Sequence, residues 1–254
     1  MRRRKHRGYL LKRIMIHFEV CANSFTSAKN AQEAGAQRIE LCSELGVGGV
    51  TPSFGLLKKV CEELSIKVNV LIRPRSGNFI YTSDELEVIL RDIGFAVDLG
   101  VNGIVCGSLH EDGTVNEKQL EAMIKASAGK EFTFHRAFDL VHDPYAAYDI
   151  LDSYGVHRIL SSGQQQKAID GIDLLKELNQ RGQVIMMPGS GVNASNIATF
   201  MGSGFTEVHF SGTVMSAERE AKIPFITPSM LGEYGYPTSD LSRLKEIIRS
   251  ASAE

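Results

Sequence analysis

Residues 18–42 read FEVCANSFTSAKNAQEAGAQRIELC, and this stretch decides the fold. Its first four and last four residues each form a short apolar strand pattern that carries a carboxylate and a thiol. Between them, residues 23–34 follow a helical pattern, with Asn23 or Ser24 as the N-cap and Gly35 after the C-cap. Two strands joined through a helix run parallel, because the connection is a crossover. The stretch is therefore predicted to be one β-α-β unit.

The same strand signal recurs along the chain. A helix-ending glycine is followed four residues later by a β-branched residue in four places: residues 35–39, 100–104, 155–159 and 204–208. Each interval is about two β-α units long. A further strand pattern lies inside each interval: residues 67–73, 132–138 and 184–188. With the first strand at residues 16–21, eight β-α units predict a single-domain TIM (β/α)8 barrel. The alternative is an open doubly wound sheet, but no Gly-x-Gly-x-x-Gly follows the first strand.

Helical patterns separate the predicted strands: residues 56–64, 83–99, 116–126, 144–153, 168–179 and 193–201. Three of the seven prolines fall within residues 212–237, which predicts a long loop after the eighth strand and not a separate domain. A last helix is predicted over residues 239–251, with Thr238 or Ser239 as its N-cap. It would complete the outer ring of the barrel.

Composition excludes several classes of protein. The 254 residues are 43% hydrophobic and carry a net charge of -2, which gives no general attraction to nucleic acid. No apolar run approaches the ~18 residues that span a membrane, and no secretory leader pattern is present. Four cysteines are too few for a disulfide framework and suit a reducing compartment. We therefore expect a cytoplasmic protein, and the sequence leaves open whether it forms a homo-oligomer.

The charge is unevenly distributed, because residues 1–14 contain seven arginines and lysines. We interpret this segment as a basic tail outside the fold, with the barrel domain spanning residues 15–254. The alternative is a basic arm for nucleic acid or anionic lipid. The pattern leaves open whether translation starts at Met1 or Met15.

Polar residues follow nearly every predicted strand, at the end where TIM barrels hold their sites. Candidates for acid-base chemistry or for holding an anion are Glu19, Glu40, Arg73, His135, Arg136, Asp139 and His209. Because side chains alternate along a strand, Glu19 shares a face with Cys21, and Glu40 shares one with Cys42. The structural alternative is that these residues form only a buried hydrogen-bond network.

A second group of residues predicts a site for a phosphate or another oxyanion. Glycines and serines after strands six, seven and eight let backbone N–H groups approach an anion. They are Ser162, Gly163, Gly189, Gly191, Ser211 and Gly212. Ordinary tight turns are the alternative explanation of these residues.

The cysteines divide by context. Cys61 and Cys106 have apolar neighbours and are expected to be packed in the core. Cys21 and Cys42 end adjacent strands, so their sulfurs could lie within a few ångströms of each other. Such a pair can hold Cu(I) linearly or, with His or Glu, a less soft ion. Two packed thiols remain the alternative.

Six segments resemble, in this order, the signature segments of the CutC copper homeostasis family. They are residues 18–55, 71–81 (LIRPRSGNFIY), 134–139 (FHRAFD), 158–163 (RILSSG), 187–192 (MPGSGV) and 207–212 (EVHFSG). The resemblance implies a TIM barrel, a cytoplasmic location and Cu(I) at Cys21 and Cys42. The sequence departs from the family pattern at Gln164 and Ser190, where glycine is expected.

Two functions therefore compete. The resemblance favours a protein that binds Cu(I) through Cys21 and Cys42. The residues alone favour an enzyme for a small anionic metabolite, phosphorylated or sugar-like. Glu19, Glu40 or His135 would act as general acid or base, Arg73 and Arg136 would hold an anionic group, and the glycine loops would take a phosphate. The sequence leaves open whether the chain is an enzyme. Under either function, mutual repulsion between Glu19 and Glu40 is expected to raise at least one pKa unless cations intervene, and the candidate cations are Arg73, His135 and His209.

Removal of residues 1–14 tests the predicted domain boundary. Because the first strand follows Met15, we expect the shortened protein to keep its circular dichroism spectrum and nearly its melting temperature. A loss of more than about 5 °C, which corresponds to roughly 1–2 kcal/mol, would show that the tail packs on the barrel.

Overall fold

A computed structural model describes residues 16–215 and 236–251. The predicted basic tail and most of the predicted loop over residues 212–237 lie outside the described residues. No helix within the described ranges is long and apolar enough to cross a membrane.

Eight parallel strands form the centre of the molecule. They are β1 (His17–Ala22), β2 (Arg38–Leu41), β3 (Lys67–Leu71), β4 (Gly103–Cys106), β5 (Glu131–Phe134), β6 (Arg158–Ser161), β7 (Ile185–Pro188) and β8 (Glu207–Phe210). Hydrogen bonds join them in the order β7-β6-β5-β4-β3-β2-β1-β8, and β7 lies beside β8 to bring the circle nearly to closure. The predicted TIM barrel is confirmed, because a doubly wound sheet would reverse its strand order.

Helices surround the strands on the outside. They are α1 (Phe25–Ala34), α2 (Phe54–Glu63), α3 (Ser83–Asp98), α4 (Glu117–Ala126), α5 (Pro144–Ser153), α6 (Ile172–Asn179), α7 (Ile197–Gly202) and α8 (Leu241–Ser250). In the first unit, the Ser24 side chain caps α1, and Gly35 ends it in the left-handed conformation with φ at 90°. The predicted β-α-β unit is confirmed with these caps.

Some predicted boundaries were wrong. The helix α6 begins at Ile172 and not at residue 168, because the preceding loop folds tightly: a Cβ on Gly163 would lie 2.3 Å from the Gly171 carbonyl oxygen. The last helix starts after its N-cap Asp240, later than predicted. The reason is that Pro237–Ser239 forms a short strand, β10, paired antiparallel with β9 (Thr213–Met215).

The main apolar core lies between the barrel and the helices. Strand residues such as Val20, Ile39, Ile104 and Val208 are fully buried in it. The alternate residues of each strand face the barrel axis. Within the barrel, a small apolar group surrounds the thiols of Cys21 and Cys42 and includes Leu71 and Val105.

The fourth residue of each repeated glycine motif is the first residue of its strand, and these four side-chain positions form the first layer inside the barrel. In sequence order these residues are Arg38, Gly103, Arg158 and Glu207, one from each even-numbered strand. TIM barrels fill their interiors with such four-residue layers from alternate strands, normally with branched apolar side chains. This layer is charged instead. Gly103 leaves the space that Asn69 fills, since a Cβ there would lie 2.4 Å from Asn69 Oδ1.

Candidate metal centre

The Glu19 carboxylate lies between two cationic partners. Strand register places it opposite Arg38 on β2 and opposite His209 on β8, and paired residues of parallel strands share a face. Arg38 Nε donates to Glu19 Oε2 at 2.5 Å, and His209 Nδ1 lies 2.8 Å from Glu19 Oε1. Burial alone would raise the pKa of Glu19, but Arg38 and His209 lower it to about 2. Glu19 is therefore a fixed anion at neutral pH.

The same interactions act on His209. Burial would lower its pKa, but hydrogen bonds to Cys21 and Glu19 and the nearby Glu40 raise its pKa well above the usual value. The imidazole is thus held by Glu19 on one nitrogen and directed toward Cys21 with the other.

From Glu19, a chain of ion pairs continues through Arg38 to other buried residues of the barrel interior. Arg38 also pairs with Glu207, and Arg158 Nε lies 2.7 Å from the same Glu207 oxygen. Arg158 reaches Glu131 as well, at 2.8 Å. Neither arginine was predicted to lie inside the barrel. The available signal was the Arg-Ile pair shared by residues 35–39 and 155–159, in which the arginine precedes the first core residue of a strand.

The two thiols predicted to approach each other do so. Cys21 Sγ lies 3.7 Å from Cys42 Sγ and 3.9 Å from Glu40 Oε1. The hydrogen bond to Cys42 and then burial raise the pKa of Cys21 well above its usual value. Cys106 instead contacts Met123 in the core, as expected, and Cys61 is half-buried on α2.

Glu40 differs sharply from Glu19. Its Oε2 atom is buried and has no hydrogen-bond partner among the described residues. Burial first, and then the charge of Glu19, raise the pKa of Glu40 to about 7, although His209 and Arg38 act in the opposite direction. The expectation that one of the two carboxylates has a raised pKa is confirmed.

Three of these side chains could hold a metal ion together. Ligand atoms of Cys21, Glu40 and His209 lie within 4.8 Å of one another, and all three residues are buried. Cys42 stands directly behind Cys21. The group therefore combines sulfur, nitrogen and oxygen donors at the carboxyl end of the barrel.

A cavity of about 500 Å³ opens above this group. The predicted site residues that line it are Cys21, Glu40, Arg73, His135, Arg136, Gly191, His209 and Ser211. Glu19 and Cys42 are fully buried beneath the wall and do not line the cavity.

Arg73 holds loops together. Its terminal nitrogens donate to the carbonyl oxygens of Val47 at 2.9 Å, Gly49 at 2.8 Å and Gly77 at 2.7 Å. These bonds tie the loops after β2 and β3 to the cavity wall. Three of the five guanidinium N–H groups are therefore engaged, and the predicted role of Arg73 in holding an anion falls to the second hydrogen of Nη2 and to Nε, which has no partner in the described chain.

The loop after β6 already holds an anion, the carboxylate of Asp139. Its Oδ1 accepts from Ser161 Oγ at 2.6 Å and from the Ser162 backbone N–H at 2.9 Å, and Gln164 N–H adds a third bond at 3.3 Å. Gly163 N–H donates to Ser161 Oγ. The donors predicted to bind an external phosphate here are thus engaged by the protein itself.

The glycines after β7 and β8 have two different roles. One allows close packing, and the others line a second cavity. Gly189 makes room for its neighbours, since a Cβ there would lie 2.4 Å from Leu160 Cδ1. Gly191 and Ser211 line the first cavity and also a neighbouring cavity of about 690 Å³ beside α8, which Gly212 lines as well. Backbone N–H groups of these three residues remain the predicted anion donors.

At the two positions where glycine was expected, the backbone does adopt a conformation that favours glycine. Gln164 and Ser190 have φ values of 59° and 83°, a left-handed conformation in which glycine is favoured and other residues cost roughly 1–2 kcal/mol. Ser190 is held there by a hydrogen bond to the Gln166 carbonyl oxygen at 2.7 Å.

Taken together, fold and site define a TIM-barrel protein with a thiol-rich candidate metal centre at the carboxyl end of its strands. The sequence profile of the CutC family matches residues 16–214. The chain is 46% identical over 200 residues to a CutC family protein of Photorhabdus laumondii, covering 78% of this chain and 81% of that one. It is 38% identical over 239 residues to the human copper homeostasis protein cutC homolog, covering 90% and 86%.

A solved structure agrees with these sequence relatives. The crystal structure of CutC from Streptococcus agalactiae superposes with a TM-score of 0.74 at 34% identity, covering 78% of this chain and 99% of that one. The chain belongs to the CutC family, which confirms the resemblance drawn from the six segments. The names of its relatives connect it with copper homeostasis.

Replacement of Arg38 by methionine tests the buried ion pairs. Methionine has similar length but no charge, so Glu19 and Glu207 lose their shared partner, at a cost of about 3–5 kcal/mol in the free energy of unfolding. The control is Arg91→Met, which removes an exposed pair with Glu87 and should cost less than about 1 kcal/mol. If urea unfolding showed equal losses in the free energy of unfolding for Arg38→Met and Arg91→Met, the role given to Arg38 would be contradicted.

The two carboxylates are expected to affect stability with opposite signs. The folded protein retains the Glu40 proton to about pH 7, against an ordinary value of 4.5. Between these values the unfolded chain releases the Glu40 proton while the folded protein keeps it, so rising pH lowers the free energy of unfolding. Glu40→Gln should therefore gain stability over the parent as pH rises from about 5 to 8.

Glu19→Gln should behave in the reverse way. The folded pKa of Glu19 lies below its unfolded value, so its contribution is full above about pH 4.5 and is lost as pH falls toward 2. The variant should be less stable than the parent at neutral pH, and the difference should shrink in acid. Urea unfolding across this pH range measures both trends, and parallel curves for the two variants would refute them.

Proposed function

We propose that this protein binds Cu(I) through the thiolates of Cys21 and Cys42, with His209 as a third ligand. The observation that carries the proposal is the 3.7 Å separation of the two sulfurs next to an imidazole held by Glu19. Thiolates are the ligands that favour Cu(I). The four free thiols also support the expected cytoplasmic location, because reduced cysteines suit that compartment.

The sulfur separation favours bent coordination. With metal–sulfur distances of about 2.3 Å, two sulfurs on either side of a linearly bound ion would be about 4.6 Å apart. A separation of 3.7 Å corresponds instead to a sulfur–metal–sulfur angle of roughly 107° at the same distances. Such an angle leaves room for a third ligand. The linear arrangement considered from sequence is therefore less favoured than a three-coordinate site.

His209 is the better third ligand of the two available. Its Nδ1 is paired with Glu19, and a carboxylate on the far nitrogen is the usual support of a metal-bound histidine. Both His209 and Cys21 hold protons firmly without metal. Metal binding must release these protons, so Cu(I) affinity should rise with pH.

We propose catalysis on a small metabolite as a second candidate function. The cavity of about 500 Å³ is far larger than one ion requires, and the unpartnered Glu40 Oε2 belongs to its wall. An unpaired buried carboxylate oxygen is costly unless a ligand satisfies it. The test is mass spectrometry and metal analysis of untagged, freshly purified protein. Copper without any bound organic molecule would remove the support for this candidate.

Competition with a Cu(I) chelator such as bicinchoninate tests the copper site. We expect Cys21→Ser combined with Cys42→Ser to weaken Cu(I) binding on the order of 100-fold or more, because both soft ligands are lost. His209→Gln should cause a smaller loss. The control Cys61→Ser leaves the site intact and should bind like the parent. A double variant that binds as tightly as the parent would show that the site is elsewhere or absent.

A further inference from the structure

The cavity wall across the barrel from Cys21 is built around His135. Its ring centre lies 4.6 Å from the ring centre of Phe79, and a Cβ on Gly107 would lie 2.9 Å from its Nδ1. The residue is 3% exposed and lines the cavity. Packing therefore fixes the orientation of the ring.

The proton of this imidazole lies on Nε2. Nδ1 accepts a hydrogen bond from the Ala137 backbone N–H at 3.3 Å, so Nδ1 carries the lone pair. Burial and the charge of Arg73 lower the pKa of His135 to about 3, which keeps the ring neutral. Its Nε2 donor is buried and unpaired within the described chain. An unpaired buried donor is costly and calls for an acceptor.

Arg73 offers a second unpaired donor on the same wall. Its Nε is buried without a partner in the described chain, while its terminal nitrogens are fixed by carbonyl oxygens. The guanidinium carbon lies 4.8 Å from the ring centre of Phe79, the ring that also packs on His135. Two unsatisfied donors beside one ring suit a group with two acceptor oxygens.

The rim of the cavity adds the guanidinium group of Arg136, which is paired on one side with Asp139. Arg136 donates to Asp139 at 2.7 Å and to Ser162 at 3.0 Å, which holds its guanidinium at the cavity edge. Its side chain is 44% exposed, so it is accessible to a ligand. A phosphate is disfavoured next to it, because the carboxylate of Asp139 already fills the loop after β6.

We propose that this cavity binds a small dicarboxylic acid, with one carboxylate at His135 Nε2 and Arg73 Nε and the other at Arg136. The ligand is an unphosphorylated organic anion of a size that ordinary small-molecule cavities hold. This inference rests on the second candidate function in one respect only, namely that the cavity binds a small molecule. It requires no copper, since none of the three residues belongs to the proposed metal centre.

The probes are malonate, succinate and glutarate, with their diamides as neutral controls of the same shape. The protein is the reduced, metal-free full chain labelled with ¹⁵N-histidine, and the readout is the His135 Nε2–H signal during titration. At least one diacid should shift this signal and bind more tightly than its diamide. His135→Phe should weaken that binding about tenfold or more, as expected for a lost hydrogen bond to a charged group.

His135→Gln is the matched variant, because its amide N–H reaches a similar position, and it should keep most of the affinity. Should the His135 variants fail to fold, Arg136→Gln replaces an exposed side chain and should weaken diacid binding while leaving monovalent acetate unaffected. Cys61→Ser, on α2 and outside the cavity lining, should bind the diacid like the parent. Absence of binding up to about 50 mM, which limits the binding free energy to less than about 2 kcal/mol, would overturn the inference. Equal affinity for the diamides, or for His135→Phe, would do the same.

These outcomes separate the inference from the functions proposed above. A neutral metabolite found in the purified protein, with no diacid binding, would leave the second candidate standing and remove the dicarboxylate. Loss of Cu(I) binding in the cysteine variants concerns the copper site alone, because diacid binding is measured on metal-free protein.

Discussion

The structure depends on one buried carboxylate, that of Glu19, which is placed by strand register between Arg38 and His209. A lone charge in a barrel interior would be prohibitively costly, and here it is compensated on both sides. Through Arg38 it is joined to Glu207 and Arg158, which fill the lower part of the barrel. Through His209 it orients a possible metal ligand beside Cys21. The charged filling and the candidate site are thus one connected network.

This arrangement separates the two carboxylates that look alike in sequence. Glu19 faces cations and stays ionised, with a pKa of about 2. Glu40, one layer nearer the cavity, has a buried oxygen without a partner and a pKa of about 7. The difference arises from position in the barrel: the lower layer contains the arginines, while the layer at the cavity floor contains thiols and apolar side chains. One carboxylate therefore supports the structure, and the other is available to a ligand.

The strands of the barrel and the proximity of the two thiols could be predicted from sequence. The repeated glycine followed by a β-branched residue marked the strands. Cys21 and Cys42 were expected to approach each other because they end adjacent parallel strands, although the register pairs Cys21 with Glu40. Arg38 and Arg158 were missed because a charged residue before a strand normally faces solvent. The engagement of Ser162 by Asp139 and of Arg73 by loop carbonyls was also invisible, since each depends on loop conformations that no periodic pattern specifies. The raised pKa of Glu40 was anticipated from repulsion between close carboxylates, although burial is the larger cause and the charge of Glu19 only adds to it.

The central claim is that the barrel holds a metal ion with both thiolates and an imidazole oriented by Glu19. X-ray absorption at the copper edge, on protein loaded with one equivalent of Cu(I), tests it most directly. The account predicts two sulfur neighbours at roughly 2.3 Å and one nitrogen neighbour near 2.0 Å, close to the distances of thiolate and imidazole ligands at zinc, with the nitrogen lost in His209→Gln. A spectrum with sulfur neighbours alone, unchanged by that substitution, would contradict it.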